Sequence, residues 1–590
     1  MKVSKFLLFV FLSSVGILTS CTKDEITDVS SGSTSGSSDS GSSDIDGTDD
    51  DFIANTSFDQ TVQVVFSNSG NATVTGTSSS VTASINGNGV TITNSGSDAV
   101  RYELSGSTSN GFLKIYSGKK QAVVLNDVSI ANPSGAAINV QGPTSDPSSG
   151  KRVFLVVSGT NTLADGASYS TPSNEDEKGV VFAEGKISVS GTGSLSITAT
   201  GKSGIASDDY VRFLAAPSVT ITSSAGHGVK TNDGIIVDDG TINIAVSANM
   251  KKGFTSDDYV TIQGGTTTIR ITGGTAYDSE DGEYTGSAGI KADNTFTMAA
   301  GTLTITNSGT GGKGISGDGI GNFNGGTVSV TCTGSNYGSS SGGGMGPRKT
   351  DDDNSVAAKA IKFDGNLVFA GANVTAKSSS HEAIESKGTI SVSDGFVFAT
   401  SSDDAMNSAG DFTISGGYLC GYSTGNDCLD ANGNFYVKGG VIYAISSSSP
   451  EVALDANTEN GKQLYVSGGT IFAIGGLENG AQLSQSCYSA SSWTRNTNYA
   501  LTVGNTTYVF MTPSSGGSPL VVSGASTPSL LSGVSVSGGT AYFDSMMILD
   551  ASVSGGSSVS LSNYSGGNSG PGGGNQPGGG NQPGGGPGGR

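Results

Sequence analysis

The residues most able to do chemistry are carboxylates that recur in pairs around an apolar residue. Glu382 and Glu385 flank Ile384, Asp404 and Asn407 flank Met406, and Asp427 and Asp430 flank Leu429, with Asp455 following Leu454. If the apolar residues point inward on successive strands, the flanking groups stack outward about one strand spacing, ~4.8 Å, apart. Like charges stacked that way repel and weaken a sheet. A hard divalent cation relieves the repulsion, and calcium accepts several oxygen ligands in loose geometry, with Asn407 completing a mixed carboxylate and amide set. Calcium is therefore the cofactor expected here; the competing reading is a solvated acidic face. Three lysines, Lys230, Lys291 and Lys362, each two residues after a Gly or Ala that opens a repeat, form a separate basic column. They can meet the carboxylates of a uronic-acid polymer, or form ion pairs between repeats. Phe398, Tyr443 and Phe472, with Tyr418 nearby, alternate with the inward residues of later strands. Such a row makes a platform for sugar rings unless the chain after residue 476 folds back over it.

Other chemistries find less support. Only two histidines, His227 and His381, are present, in separate repeats, which argues against a Ser–His–Asp triad or a His-rich zinc site. The glycine clusters lie in turns and tails and form no phosphate loop. A calcium-dependent polysaccharide lyase remains a rival, since that reaction needs a metal on the uronate carboxylate and a base for the adjacent proton. Lys230 or Lys291 would be that base, several repeats from the acidic stripe. No carboxylate pair stands out for glycoside hydrolysis.

These residues must be positioned by a repeat. Its frame is Gly or Ala, an apolar residue, a turn of Asp, Asn or Gly, and two short alternating strands, as in GVKTNDGIIVDDGTINIAV from 228 and CLDANGNFYVKGGVIYA from 428. Repeats start 22 to 25 residues apart except where insertions near 277–287 and 337–354 lengthen the step. That period with strands of about four residues is one coil of a parallel β-helix. Ile205, Val229, Phe254, Ile290, Ile315, Ile361, Ile384, Met406, Leu429 and Leu454 are expected to form its inward ladder. Composition agrees: Gly numbers 93 of 590 residues and charged residues only 13 %, which suits tight turns and short strands better than helices. A net charge of −21 argues against nucleic acid as a partner and favours cations.

The ends differ from the repeat. Lys2 and Lys5, the apolar run from Phe6 to Leu18, and Leu18-Thr19-Ser20-Cys21 resemble a lipoprotein signal, with Cys21 lipidated after cleavage of residues 1–20. Residues 21–57 read as a flexible spacer, and 566–590 as a disordered Pro/Gly tail. The body divides into an N-terminal β region and first coils (58–178), the repeats (179–476) and a C-terminal β segment (477–565). The spacing of Cys332, Cys420, Cys428 and Cys487 identifies no disulfide framework.

Leu163-Ala164-Asp165-Gly166, the GIASDD and GVKTND coils, and the run HEAIE, DDAMN, NDCLD together resemble a family of bacterial carbohydrate-binding β-helix proteins. The resemblance extends from near Val62 to about Gly476. It implies an all-β, right-handed parallel β-helix similar to pectate lyases, bound calcium, and affinity for polysaccharides such as cellulose and polygalacturonate, without established catalysis. Two departures stand out. Ala360, Ala383, Ala405, Cys428 and Ala453 replace the usual glycine, and Val452 stands where the acidic residue before Ala453 is expected. The function expected is a monomeric, cell-surface lipoprotein of the outer membrane that binds polysaccharide through calcium and touches membrane only through its anchor. A purely structural or adhesive scaffold is the remaining alternative.

Overall fold

The computed structural model describes residues 49–566 apart from 216, 339–354 and 448. The signal segment with Cys21, most of the spacer and nearly all of the Pro/Gly tail lie outside the described residues.

The body is all β, and the repeat sets its geometry. Each short strand pairs in parallel with its equivalent one repeat later. Ile205 pairs with Val229, Val229 with Phe254, and so on through Ile290, Ile315, Ile361, Ile384, Met406 and Leu429 to Leu454. All ten side chains are fully buried, so the expected inward ladder is present. Among the described residues, fifteen strands form this sheet, and the other strands of the repeats join a thirty-stranded sheet. The residue after each ladder member points outward, as strand alternation requires, whereas the Gly, Ala or Cys before it faces the core.

The leading glycines of the early repeats are small for a steric reason. A Cβ on Gly204, Gly228, Gly253 or Gly289 would lie within 2.4–2.5 Å of the Ile221, Ile244, Ile269 or Ile305 side chain. In register after Ile305 and Val330 that facing column shrinks to Ala376, Ala399, Gly421, Ala444 and Ala473. The change accompanies Ala360, Ala383, Ala405, Cys428 and Ala453 in the leading place. Part of the bulk has thus moved from one wall of the core to the other, as close packing of facing columns allows.

Two regions depart from the expected boundaries. Residues 49–57, read as spacer, include 3-10 turns at Asp49–Asp51 and Ile53–Asn55. Asp51 is buried in ion pairs with Arg152 and Arg212 and accepts from the Tyr210 hydroxyl. Asp51 is one of three consecutive aspartates, and nothing in that run marked it for docking. Beyond Gly476, Leu520–Ser523 pairs antiparallel with Thr470–Ile474. The chain from Asn498 to Ser558 then folds into a separate six-stranded antiparallel sheet. Cys332, Cys420, Cys428 and Cys487 are buried free thiols.

Candidate functional site

The outward residues flanking the inward ladder form two columns, and both change sign along the chain. The residue after each ladder member runs Lys230, Thr255, Lys291, Ser316, Lys362, then Glu385, Asn407, Asp430 and Asp455, all in one register. The lysines and the acidic stripe, read separately in the sequence, are therefore two halves of one column. The residue two before each ladder member runs Lys252, Ala288, Lys313 and Lys359, then Glu382, Asp404 and Asp427.

Where the halves meet, the charges cancel inside the protein. Lys359 ion-pairs with Glu382 at 3.0 Å and with Glu385, and all three side chains are buried. Lys387 reaches Glu385 at 2.6 Å, and His381 contacts Glu382. Burial works to raise the Glu382 pKa, but the His381 hydrogen bond and the Lys359 charge hold it at about 2. Burial likewise opposes ionisation of Glu385, and Lys359 keeps its pKa below the ordinary value. The expectation that Glu382 and Glu385 need a cation is thus corrected, because neighbouring lysines already neutralise them.

Past that junction, among the described residues, no lysine ion-pairs with Asp404, Asp427 or Asp455. Asn407 Nδ2 donates to Asp404 Oδ2 at 3.1 Å and to Asp430 Oδ2 at 2.7 Å. Asp404 is buried, and among the described residues its Oδ1 has no hydrogen-bond partner. Burial first, then repulsion from Asp430 and Asp403, pushes the Asp404 pKa up to about 9. Burial also raises Asp427 to about 7 despite the hydrogen bond it accepts from the Val452 amide. Asp455 is raised by burial and by sharing a hydrogen bond with Glu478. Glu478 escaped the sequence reading. Leu477 bridges to Leu454 as a further ladder member, so Glu478 continues the outward column as Asp430 and Asp455 do. The Leu-Glu dipeptide after Gly476 echoes the preceding Leu-Asp steps and was the available signal.

This donor set suits a hard cation: several carboxylates, a buried carboxylate oxygen without a partner, and an amide whose NH2 holds the place of a positive charge between two carboxylates. Among the described residues, three His, Asp or Glu ligand atoms come within 4.8 Å of one another in two places outside that run, His381–Glu382–Asp403 and Asp176–Glu184–Asp208. Lysine already serves both, Lys359 at Glu382, and Lys178 at 3.0 Å from Asp176 and 2.5 Å from Asp208.

The proposed sugar contacts fare differently. Phe398, Tyr443 and Phe472 are buried beneath the C-terminal sheet, packed with Tyr499, Leu501, Phe510 and Met547. Tyr418 is half-buried and stacks at 4.8 Å on Phe396, whose ring also stacks on Tyr542. The aromatic row is therefore the seat of the C-terminal segment and offers no open platform, since covering it removes a large apolar area from water. Lys291 pairs with Asp293 at 3.1 Å and Asp318 at 2.5 Å, and Lys362 pairs with Asp364. Lys230 is half-buried. Aromatic side chains the sequence reading did not single out stay accessible instead. Tyr436 and Tyr465 stack at 5.2 Å on the outer face, and Tyr277, Tyr284 and Tyr337 cluster on the insertions.

The family described as "Carbohydrate-binding domain-containing protein" matches residues 86–420. Among solved structures, the polysaccharide lyase-like protein from C. thermocellum, as its gadolinium derivative, aligns at a TM-score of 0.36 and 20% identity, covering 44% of this chain and 96% of that one. No curated protein matches the chain. The family match spans more than half of the sequence and contains both the lysine column and the start of the acidic run, so this chain belongs to the carbohydrate-binding domain-containing family.

Proposed function

We propose that this protein is a cell-surface lipoprotein, anchored to the outer membrane through Cys21, that binds polysaccharide with the help of calcium. The body acts as a right-handed parallel β-helix whose stacked coils present the acidic run as a rigid edge. Asp404, Asn407, Asp427, Asp430, Asp455 and Glu478 hold calcium, which neutralises their mutual repulsion and bridges to hydroxyl or carboxylate oxygens of the sugar. The observation that carries this reading is the buried Asp404 Oδ1, without a hydrogen-bond partner among the described residues, within a run of stacked carboxylates. Membership of a carbohydrate-binding family supports the choice of polysaccharide as partner.

The test is retention of the full chain on cellulose and on polygalacturonate, with calcium and with chelator, while the supernatant is assayed for unsaturated uronides. Retention that rises with calcium and yields no product is expected. Retention indifferent to calcium would remove the metal from the account, and accumulating unsaturated product would make the protein a lyase.

A further inference from the structure

The basic half of the two columns encloses a cavity of about 420 Å³, within the range of small-ligand sites. Six lysines line it: Lys252, Lys291, Lys313, Lys359, Lys362 and Lys387. Its acidic lining residues are Glu283, Asp318, Asp364 and Glu385. Three of these four are engaged, Asp318 by Lys291, Asp364 by Lys362, and Glu385 by Lys359 and Lys387. Lys252 and Lys313 have no acidic partner among the described residues. They share one column with Lys359: the strand of Ala288 lies between Lys252 and Lys313, and Lys313 is directly beside Lys359, so their charges repel. Burial, followed by the charge of neighbouring lysines, pushes both ammonium groups down to about 8.

The cavity walls are additions to the repeat. One is the hairpin of Ala276–Asp278 and Glu283–Thr285, which contributes Tyr284. The other is the stretch Ser355–Ala357, where Val356 bridges to Tyr337. Tyr284 packs at 5.1 Å against Tyr337 and at 5.3 Å against Tyr277, whose ring is 55% exposed. Insertions on a rigid scaffold are where binding groups concentrate. Here they set an aromatic cluster beside surplus positive charge. That combination matches a sugar ring bearing an anionic group, with the ring against tyrosine and the anion on the ammonium groups.

We propose that this cavity is a second, calcium-independent site that binds anionic sugar residues directly through Lys252 and Lys313, with Tyr284 against the ring. The proposal rests on the polysaccharide-binding reading but uses the other half of the columns and no metal. Carboxylated and sulfated sugars share the chemistry required.

The experiment measures binding of the full chain to oligogalacturonate and to a sulfated oligosaccharide, in chelator and at low and high salt. The expected result is binding in chelator that weakens with salt. In a Lys252→Gln/Lys313→Gln variant, affinity should fall about tenfold or more, as lost charge-assisted contacts predict. The calcium-induced rise in Tm, which reports the acidic run, should persist in that variant. A preference for the oligogalacturonate assigns carboxylated sugars; equal binding assigns anionic sugars generally. Unchanged affinity in the variant, or no binding in chelator while calcium-dependent retention survives, overturns the cavity site alone. Absence of glycan binding under every condition overturns the polysaccharide reading with it. Should the variant fold poorly, acylation of the native chain gives the answer. Lys252 and Lys313 should react readily and be protected by oligogalacturonate, and lack of protection contradicts the proposal.

Discussion

Lys359 shows how one side chain decides what its neighbours can do. It sits in the last basic rung and reaches forward to Glu382 and Glu385, closing a buried cluster of charges. Replacing one partner of a buried pair leaves the others desolvated and uncompensated. Lys359→Met should therefore destabilise the fold by about 3–5 kcal/mol, read from denaturant unfolding. A cost below about 1 kcal/mol, the range of surface pairs, would show that water or a cation serves the two glutamates instead. The sequence reading placed these glutamates among the calcium ligands because it followed each repeat position within its own stretch of coils. Lys359 stands two residues before Ile361 as Glu382 stands two before Ile384, a match that appears only when adjacent repeats are compared position by position. Asp404, Asn407, Asp427, Asp430 and Asp455 were legible for the same reason that Glu382 misled: period and residue type show charge, while neutralisation by a neighbouring coil needs the register.

At the scale of the element, the repeat frame was readable because each coil must repeat its inward residue to build a continuous core. The ten residues from Ile205 to Leu454 occupy one ladder as the spacing requires. What spacing did not disclose is the exchange of bulk between facing columns. That exchange makes a prediction: Gly228→Ala should destabilise by about 1–3 kcal/mol, because its Cβ would meet the Ile244 side chain. Ile244→Ala in the same chain should recover part of the loss, giving a coupling energy in a double-mutant cycle. Additive effects would show that the Gly253 carbonyl, also 2.5 Å from that Cβ, is the decisive obstacle. The covered aromatic row was the other hidden feature. Alternation placed Phe398, Tyr443 and Phe472 outward correctly, yet outward in a coil means solvent only when no later segment packs there. The six-stranded sheet after Asn498 supplies the cover, and no local pattern in the row itself foretold it.

Over the whole molecule, the acidic run and the junction before it pull stability in opposite directions with pH. Asp404 and Asp427 have folded pKa values of about 9 and about 7, raised from the ordinary 3.8. Their protonated forms favour the fold, so that contribution is full below about pH 4 and is lost as pH rises through 7 to 9. Glu382, lowered from 4.5 to about 2, contributes above pH 4.5 and loses its contribution as pH falls towards 2. In chelator, Tm should therefore decline between pH 5 and 9, measured by thermal unfolding, and calcium should flatten that decline by replacing the protons. A calcium-insensitive profile would place the ion elsewhere.

The central claim, that calcium on the acidic run holds polysaccharide, is tested most directly by polygalacturonate retention of the full chain beside an Asp404→Asn/Asp430→Asn variant, each with calcium and with chelator. The account predicts that calcium increases retention of the native chain and that the variant loses this increment while keeping the retention seen in chelator. Equal increments in both proteins, or none in the native chain, would contradict it.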